Sequence, residues 1–190
     1  MSIKILGGVA RNFELATPKV SSTRPTSVLL KRRLFDSTQH FQDYIFVDLC
    51  AGSGSVGFEA LSRGATKVFL VENFKTAFRC LTDNKKKLID KYPDLGEIQI
   101  SNDNFKKWLA KNHNLLSNDP NIFLFFDPPY ENIDLYEELF NSIREIPFKG
   151  RLVVEACKQK TMTIDEFTDK FGEMDKLFKQ GTSYFAIYDF

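Results

Sequence analysis

Strand-length apolar runs alternate with helix-like stretches along the chain from residue 44 onward. In the helix-like stretches, apolar residues recur every three or four positions. The predicted strands are 44–49, 67–71, 97–101, 122–126 and 151–155, and the predicted helices are 56–63, 74–89, 105–116, 135–146 and 164–171. Because strands separated by helices pair in parallel, this alternation predicts an α/β protein with a Rossmann-like, doubly wound sheet.

The two ends of the chain depart from this alternation. The runs 176–179 and 184–188 flank Gly181 with no room for a helix, so this last pair is predicted to be antiparallel. Near the start, 3–6 and 12–15 can pair across two glycines as a small hairpin.

A short helix is predicted over 26–35, because Pro25 restricts the backbone just before it. The hairpin and this helix together make 1–40 an N-terminal extension on a sheet domain that spans 41–190.

Charge separates these two parts of the chain. The 190 residues contain 26 Lys and Arg and 25 Asp and Glu, and the resulting net charge of +1 gives no hint of a nucleic-acid partner. The first 40 residues, however, carry seven basic and two acidic residues, whereas the remaining 150 carry 19 basic and 23 acidic residues. A basic extension on an acidic body indicates a polyanionic partner.

Cysteine usage and hydropathy indicate the cellular compartment of the protein. Cys50, Cys80 and Cys157 are far apart and have no metal-ligand spacing, so we expect no metal site and a reduced, cytoplasmic environment. No apolar run reaches the length of a bilayer span, and no signal-peptide pattern follows Met1, so we expect no membrane partner.

A glycine-rich loop follows the first predicted strand of the sheet domain. The segment from Asp48 to Gly57 contains the pattern G-x-G-x-x-G between a strand and a helix, where glycines permit a tight turn and close approach of a ligand. Glu72 ends the next strand, where a carboxylate can accept hydrogen bonds from both hydroxyls of a ribose. This combination predicts a nucleotide-like cofactor, and the alternative is a plain glycine-rich turn with a surface glutamate.

Two aspartates bear on which cofactor this is. Dinucleotide sites hold a pyrophosphate at the helix N-terminus, and Asp48 would repel it. S-adenosyl-L-methionine instead presents an ammonium and a sulfonium, which Asp48 suits. Asp103 can accept a hydrogen bond from an adenine amine, but it can equally be the N-cap of the helix that starts at Phe105.

The segment Asp127-Pro128-Pro129-Tyr130 follows a wholly apolar strand at the edge of the sheet where ligands bind. The prolines hold an extended turn and leave the Pro128 carbonyl as an acceptor beside the Asp127 carboxylate. Two such acceptors can grip the N–H groups of a nucleobase amine and localise its lone pair, while the Tyr130 ring stacks on a flipped base. The alternative is a rigid loop in which Asp127 caps a helix and Tyr130 packs.

These motifs together resemble the class I S-adenosylmethionine-dependent amino methyltransferases and, more narrowly, the bacterial 16S rRNA guanine-N2 methyltransferases of the RsmD type. Further matching stretches cover nearly the full chain. They are Ile5 to Gly8, Arg24-Pro25-Thr26, Leu34-Phe35, Ala51 to Gly57, Glu59 to Ala65, Asp103, Trp108-Leu109, Gly181-Thr182 and Tyr188. The resemblance implies a seven-stranded sheet with an antiparallel last strand and an N-terminal hairpin and helix.

The resemblance also implies the site residues and the substrate. The cofactor contacts would be Asp48, Ala51, Gly52, Ser53, Gly54, Gly57, Glu72, Asn102 and Asp103, and the guanine amine would be held by Asp127, Pro128 and Tyr130. The partner would be 16S rRNA in the small ribosomal subunit, modified by a monomeric enzyme. Phosphate contacts are then expected from Arg11, Arg24, Lys31, Arg32 and Arg33, with a solvated helix face as the alternative.

The chain departs from the family pattern in the extension and at one position of the glycine loop. The acids usual near Val28 and at Arg32 are absent, Arg11 is followed by Asn12 rather than glycine, and Cys50 replaces a common aromatic. Three other functions stay open: a DNA adenine or cytosine amino-methyltransferase, a non-catalytic module that binds the cofactor and rRNA, and a nicotinamide-dependent oxidoreductase.

Overall fold

The computed structural model describes residues 2–18, 28–38, 41–129, 131–158 and 160–190. In chain order the described elements are β1 (Ser2–Lys4), β2 (Glu14–Ala16), α1 (Val28–Ser37), β3 (Ile45–Asp48), α2 (Gly57–Ser62), β4 (Lys67–Val71), α3 (Lys75–Lys91), β5 (Glu97–Ser101), α4 (Phe105–Lys111), α5 (His113–Asn118), β6 (Ile122–Phe126), α6 (Ile133–Arg144), β7 (Arg151–Cys157), α7 (Ile164–Phe171), β8 (Lys176–Gln180) and β9 (Ser183–Asp189). A single 3-10 turn at Phe41–Asp43 precedes β3.

Seven strands form one sheet in the order β5-β4-β3-β6-β7-β9-β8. Neighbouring strands are parallel except at β9, which is antiparallel to both β7 and β8. The predicted doubly wound sheet and its antiparallel closing hairpin are therefore confirmed. The last strand of the chain lies inside the sheet, and β8 forms the edge.

The strand order reverses between β3 and β6. The chain runs outward from β3 through β4 to β5, and then returns to place β6 on the other side of β3. Such a reversal opens a crevice at the carboxyl ends of the two central strands, and this is where ligands of open α/β sheets bind. Asp48 ends β3 at this crevice, and Asp127 directly follows β6.

Strand β6 is buried on both faces, as its wholly apolar sequence predicts. Phe123 and Phe125 join the apolar layer beneath α1, α2 and α3, where the ring of Phe123 stacks 5.0 Å from that of Phe46. Leu124 and Phe126 join the opposite layer with Tyr136 of α6. Aromatic side chains therefore supply much of the apolar area that holds the central strands in place.

The stretch 105–116, predicted as one helix, is two helices. The break lies at Asn112, whose side-chain amide donates to the carbonyl of Trp108 at 2.8 Å. Asparagine competes in this way with the backbone ladder of a helix, and apolar periodicity does not report that competition.

The N-terminal extension packs onto the sheet domain. Strands β1 and β2 pair antiparallel with Ile3 opposite Leu15, which confirms the predicted hairpin, and helix α1 packs against β8. Leu15 and Leu34 are fully buried or nearly so, in the same apolar layer as α2 and β4. The domain boundary at residue 40 stays a prediction, and the predicted start of α1 at Thr26 lies outside the described residues. Within the described ranges, no helix combines the length and apolar character needed to cross a bilayer.

Candidate active site

The glycine loop forms a tight turn between β3 and α2. The Ala51 amide donates to the Val71 carbonyl at 2.9 Å, which joins the loop to the end of β4, and Gly54 closes the turn by donating to Ala51 at 2.7 Å. Gly52 has φ +55°, and a Cβ added there would meet no atom within 4 Å, so the backbone at this point borders open space. At Gly57 a Cβ would lie 2.2 Å from a methyl group of Leu70, so glycine lets α2 pack directly on β4.

Glu72 holds the glycine loop against the end of β4. The residue is 6% exposed, and its carboxylate accepts the Gly52 amide at 2.8 Å on one oxygen and the Phe74 amide at 2.8 Å on the other. The Asn102 side chain donates to the Glu72 carbonyl at 2.9 Å, and this bond connects the end of β5 to the end of β4. Because each carboxylate oxygen has a second lone pair, Glu72 can still accept hydrogen bonds from ligand hydroxyls.

Asp48 is a buried carboxyl group at the centre of the crevice. The side chain is 1% exposed, and burial raises the pKa of its carboxyl to about 7, with the nearby charge of Glu72 adding to the rise. The Cys50 amide donates to it at 3.4 Å, which partly offsets the loss of water. A carboxylate in this position gains most from a cationic ligand, since it lacks the solvation it would have at the surface.

Asp103 is not the cap of α4. Asn104 is the N-cap, because its side chain accepts the Lys107 amide at 2.9 Å. Asp103 instead forms an ion pair with Lys111, with 2.7 Å between the carboxylate and the ammonium. The capping alternative for Asp103 is therefore wrong, and its contact with an adenine amine stays a prediction.

The Asp127 turn meets the glycine loop at Cys50. Asp127 is partly buried and Pro128 is buried, whereas Pro129 is exposed. Burial raises the pKa of the Cys50 thiol well above its ordinary value, and the charges of Asp48, Asp127 and Glu72 raise it further. The thiol is therefore uncharged and lies among the three acids. Tyr130 is outside the described residues, so its stacking on a base stays a prediction.

Sequence patterns did not reveal Asn84, a fully buried residue of α3. Its side-chain oxygen accepts the Ala16 amide at 2.9 Å, and its nitrogen donates to the carbonyls of Ala16 and Ser53, each at 2.9 Å. One amide thus joins the end of β2 to the glycine loop. An asparagine between Asp83 and a run of three lysines, on a helix with a solvated outer face, gave no distinguishing signal.

The basic residues of the extension have different surroundings. Lys31 is 2% exposed, with its ammonium 3.7 Å from the buried Glu59 carboxylate and 3.3 Å from the Ser55 carbonyl. Burial lowers the pKa of Lys31. This corrects the assignment of Lys31 to the RNA-contacting set, because its ammonium is buried and paired with Glu59 inside the protein.

Arg32 and Arg33 are exposed, and the Arg33 guanidinium lies 4.6 Å from the ring centroid of Phe178 on β8. Arg11 is also exposed, but its loop lies at the end of α2 away from the glycine loop, where the Val9 amide donates to Ser62 at 2.8 Å. Arg24 lies outside the described residues. RNA contact by Arg11, Arg24, Arg32 and Arg33 stays a prediction.

The sheet order, the glycine loop with Glu72 and the Asp-Pro-Pro turn give this chain the fold of the Rossmann-like methyltransferases. The chain aligns over its full length with a solved structure from Escherichia coli named a candidate methyltransferase, yhhF, at 26% identity and a TM-score of 0.75, covering 98% of that chain. The same fold occurs in a 16S rRNA N2 G1207 methyltransferase (RsmC) from Thermus thermophilus, solved with AdoMet and guanosine. There the TM-score is 0.63 and the identity 16%, over 100% of this chain and 44% of the other.

The chain belongs to the family described as conserved hypothetical protein 95, whose model matches residues 3–189. It is 31% identical over 144 residues to the ribosomal RNA small subunit methyltransferase D of Escherichia coli K12, which is 75% of this chain and 67% of the relative. The alignment with a relative of the same name from Buchnera aphidicola covers 63% of that protein's length at 30% identity.

Proposed function

We propose that this protein transfers the methyl group of S-adenosyl-L-methionine to the exocyclic N2 amine of a guanine in small-subunit rRNA. The observation that carries the proposal is the Asp127-Pro128 turn, which follows β6 at the reversal of strand order, next to the buried Asp48. The names of the relatives, which are rRNA small subunit methyltransferases, support the substrate class.

The donor set fits this cofactor. Asp48 would face its ammonium end, the Glu72 carboxylate would accept the ribose hydroxyls, and Asp103 with Asn102 would border the adenine. The open space at Gly52 leaves room for a ligand against the loop backbone. When bound, the cofactor supplies an electrophilic methyl group on a positively charged sulfur.

The residues of the turn would prepare the amine. A guanine amine is a poor nucleophile because its lone pair is delocalised into the ring. The Asp127 carboxylate and the Pro128 carbonyl would each accept a hydrogen bond from one N–H group of the amine. This arrangement favours a tetrahedral nitrogen with its lone pair directed at the methyl group. Transfer would form the N–C bond at the expense of the S–C bond, and Asp127 would accept the proton that the nitrogen then loses.

Transfer of labelled methyl groups into small ribosomal subunits that lack the modification tests this proposal directly. We expect label in the subunits, and after digestion to nucleosides we expect it in N2-methylguanosine. Label in adenosine or cytidine, preferential labelling of DNA, or cofactor binding without any transfer would each overturn the proposal. We also propose that the protein is cytoplasmic and acts as a monomer. Light scattering of the purified protein checks the monomeric state.

A further inference from the structure

The edge of the sheet that carries Asp48 and Asp127 continues over β7, β9 and β8. Strand β7 ends at Cys157, which is paired with Ser183 at the start of β9, and Ser183 is in turn paired with Gln180 at the end of β8. Lys158 and the β8–β9 turn therefore lie on the same edge as the candidate active site, on the side of β6 away from the glycine loop.

This part of the edge is basic. The segments 157–163 and 179–183, which lie at this edge, contain three lysines and no Asp or Glu. Lys158 and Lys179 are exposed, and among the described residues no carboxylate is within ion-pair distance of either ammonium. Their charges are thus available to a partner.

The loop that carries Lys158 is held firmly against the β8–β9 turn. The Lys158 amide donates to the Thr182 carbonyl at 2.9 Å, and the Cys157 thiol donates to the Thr182 hydroxyl at 3.6 Å. Within the loop, the Thr161 amide donates to Cys157 at 2.8 Å. These bonds connect the described parts of the two lysine-bearing segments at the backbone.

The same loop contacts the turn proposed to hold the amine. The Lys160 ammonium lies 2.6 Å from a carboxylate oxygen of Glu131, four residues after Asp127. A base held at Asp127 has the glycine loop on its β3–β4 side, and the ends of β7, β9 and β8 on the other. Beyond the Lys160–Glu131 pair, the exposed charges at these strand ends are Lys158 and Lys179.

We propose that Lys158 and Lys179 bind phosphates of the RNA strand that flanks the target guanine. This inference rests on the proposed function and adds a second RNA-contacting surface to the N-terminal extension. Lysines also protect exposed edge strands from pairing with other chains, which is a sufficient reason for Lys179 on β8. That reason does not apply to Lys158, which follows the internal strand β7.

A double charge reversal, Lys158→Glu with Lys179→Glu, tests the proposal against a matched control, Lys86→Glu with Lys87→Glu. Both control residues are exposed on α3, and both variants change the net charge equally. Binding to unmodified small subunits should weaken at least about tenfold for the first variant, and the slope of log K against log salt should fall by about 1.5. The affinity for S-adenosyl-L-methionine should stay unchanged, and the control should bind subunits within about twofold of the parent protein.

Equal RNA affinity and salt slope in the two variants would overturn this inference while methyl transfer by the parent protein still stood. Absence of transfer by the parent protein would instead overturn the proposed function. The pair Lys158→Ala with Lys179→Ala removes the two charges without introducing acids, and it should by itself lower the salt slope by about 1.5. An unchanged slope in this pair would show that the reversal acts only by repulsion and would overturn the inference. Cofactor binding by every variant verifies that it is folded.

Discussion

The sheet edge that carries Asp48 and Asp127 has two halves, and they differ in both the sign and the burial of their charges. Beside the glycine loop, Asp48 and Glu72 are 1% and 6% exposed, whereas Lys158 and Lys179 at the far end of the same edge are exposed to solvent. A buried carboxylate is costly without a cation beside it, while an exposed lysine costs little and gains from a polyanion. The contrast fits a small cationic cofactor enclosed on one side and a large anionic substrate lying across the other, with Asp127 between them.

The substitution Asp127→Ala should have the largest effect. Removing the carboxylate that would hold the amine should lower the rate of methyl transfer at least about a hundredfold, in the range of general acid–base effects. Cofactor affinity should be unchanged, because Asp127 lies outside the glycine loop. Single-turnover transfer to small subunits and calorimetry with S-adenosyl-L-methionine measure the two quantities. Activity within tenfold of the parent protein would show that Asp127 does not hold the amine.

Asn84→Leu should have the next largest effect, this time on stability. The change leaves the buried Ser53 carbonyl without its partner and removes both hydrogen bonds to the Ala16 backbone, at a cost of about 2 kcal/mol. Urea unfolding measures the loss. The control Asn118→Ala removes an exposed side chain that bonds only to the Asn114 carbonyl, and it should change the free energy of unfolding by much less. Equal losses would mean that the bridge between β2 and the glycine loop contributes nothing special.

The pH dependence of cofactor binding probes the buried half of the edge. Burial raises the pKa of Asp48 from 3.8 to about 7, so between these values the folded protein without cofactor keeps a proton that the unfolded chain has released. This group therefore lowers the free energy of unfolding as the pH rises through that window. A cationic ligand favours the carboxylate, so binding releases the proton, and the Kd should fall about fivefold from pH 6 to pH 7.

The variant Asp48→Asn provides the control for this titration. It should bind the cofactor more weakly, and its Kd should not change with pH between 6 and 7. Calorimetry in buffers of different ionisation enthalpy also counts the released proton. A pH-independent Kd in the parent protein would separate Asp48 from the cationic part of the cofactor.

Adjacent residues of α1 give the smallest expected effect and a matched comparison. Arg32 is exposed, so Arg32→Ala should weaken RNA binding about two- to threefold and lower the salt slope by about 0.8. Lys31 is buried against Glu59, so Lys31→Met should leave the salt slope unchanged and reduce stability instead. Filter binding with a fragment of small-subunit rRNA at several salt concentrations measures both slopes. A loss of slope in the Lys31 variant would contradict the structural placement of its charge.

Local sequence patterns predicted much of this molecule because they report local physics. The apolar run 122–126 is strand-length and ends at Asp127-Pro128-Pro129, which predicts a buried strand, and it is the central strand β6. The glycines and Asp127-Pro128-Pro129 restrict the backbone by their own covalent geometry, so their positions at the ends of β3 and β6 could be expected from the sequence.

Long-range contacts decided what these patterns leave open. No local pattern in β9 predicts that it lies between β7 and β8, because antiparallel pairing with β8 alone is equally compatible with the turn at Gly181. Likewise Lys31 and Arg32 are neighbours in a basic run, and only the position of Glu59 on α2 buries one charge and leaves the other in solvent.

Local patterns thus predict the α/β alternation, the loop and turn that form the candidate site, and the family to which the chain is similar. Only the folded arrangement shows which charges are buried and which are exposed. A side chain's chemistry depends on its own residue type, whereas its solvation depends on the distant segments that pack against it. Asp48, Asn84 and Lys31 are buried by strands and helices far along the chain, and the Lys158 backbone bonds to Thr182 at the sheet edge of the candidate site.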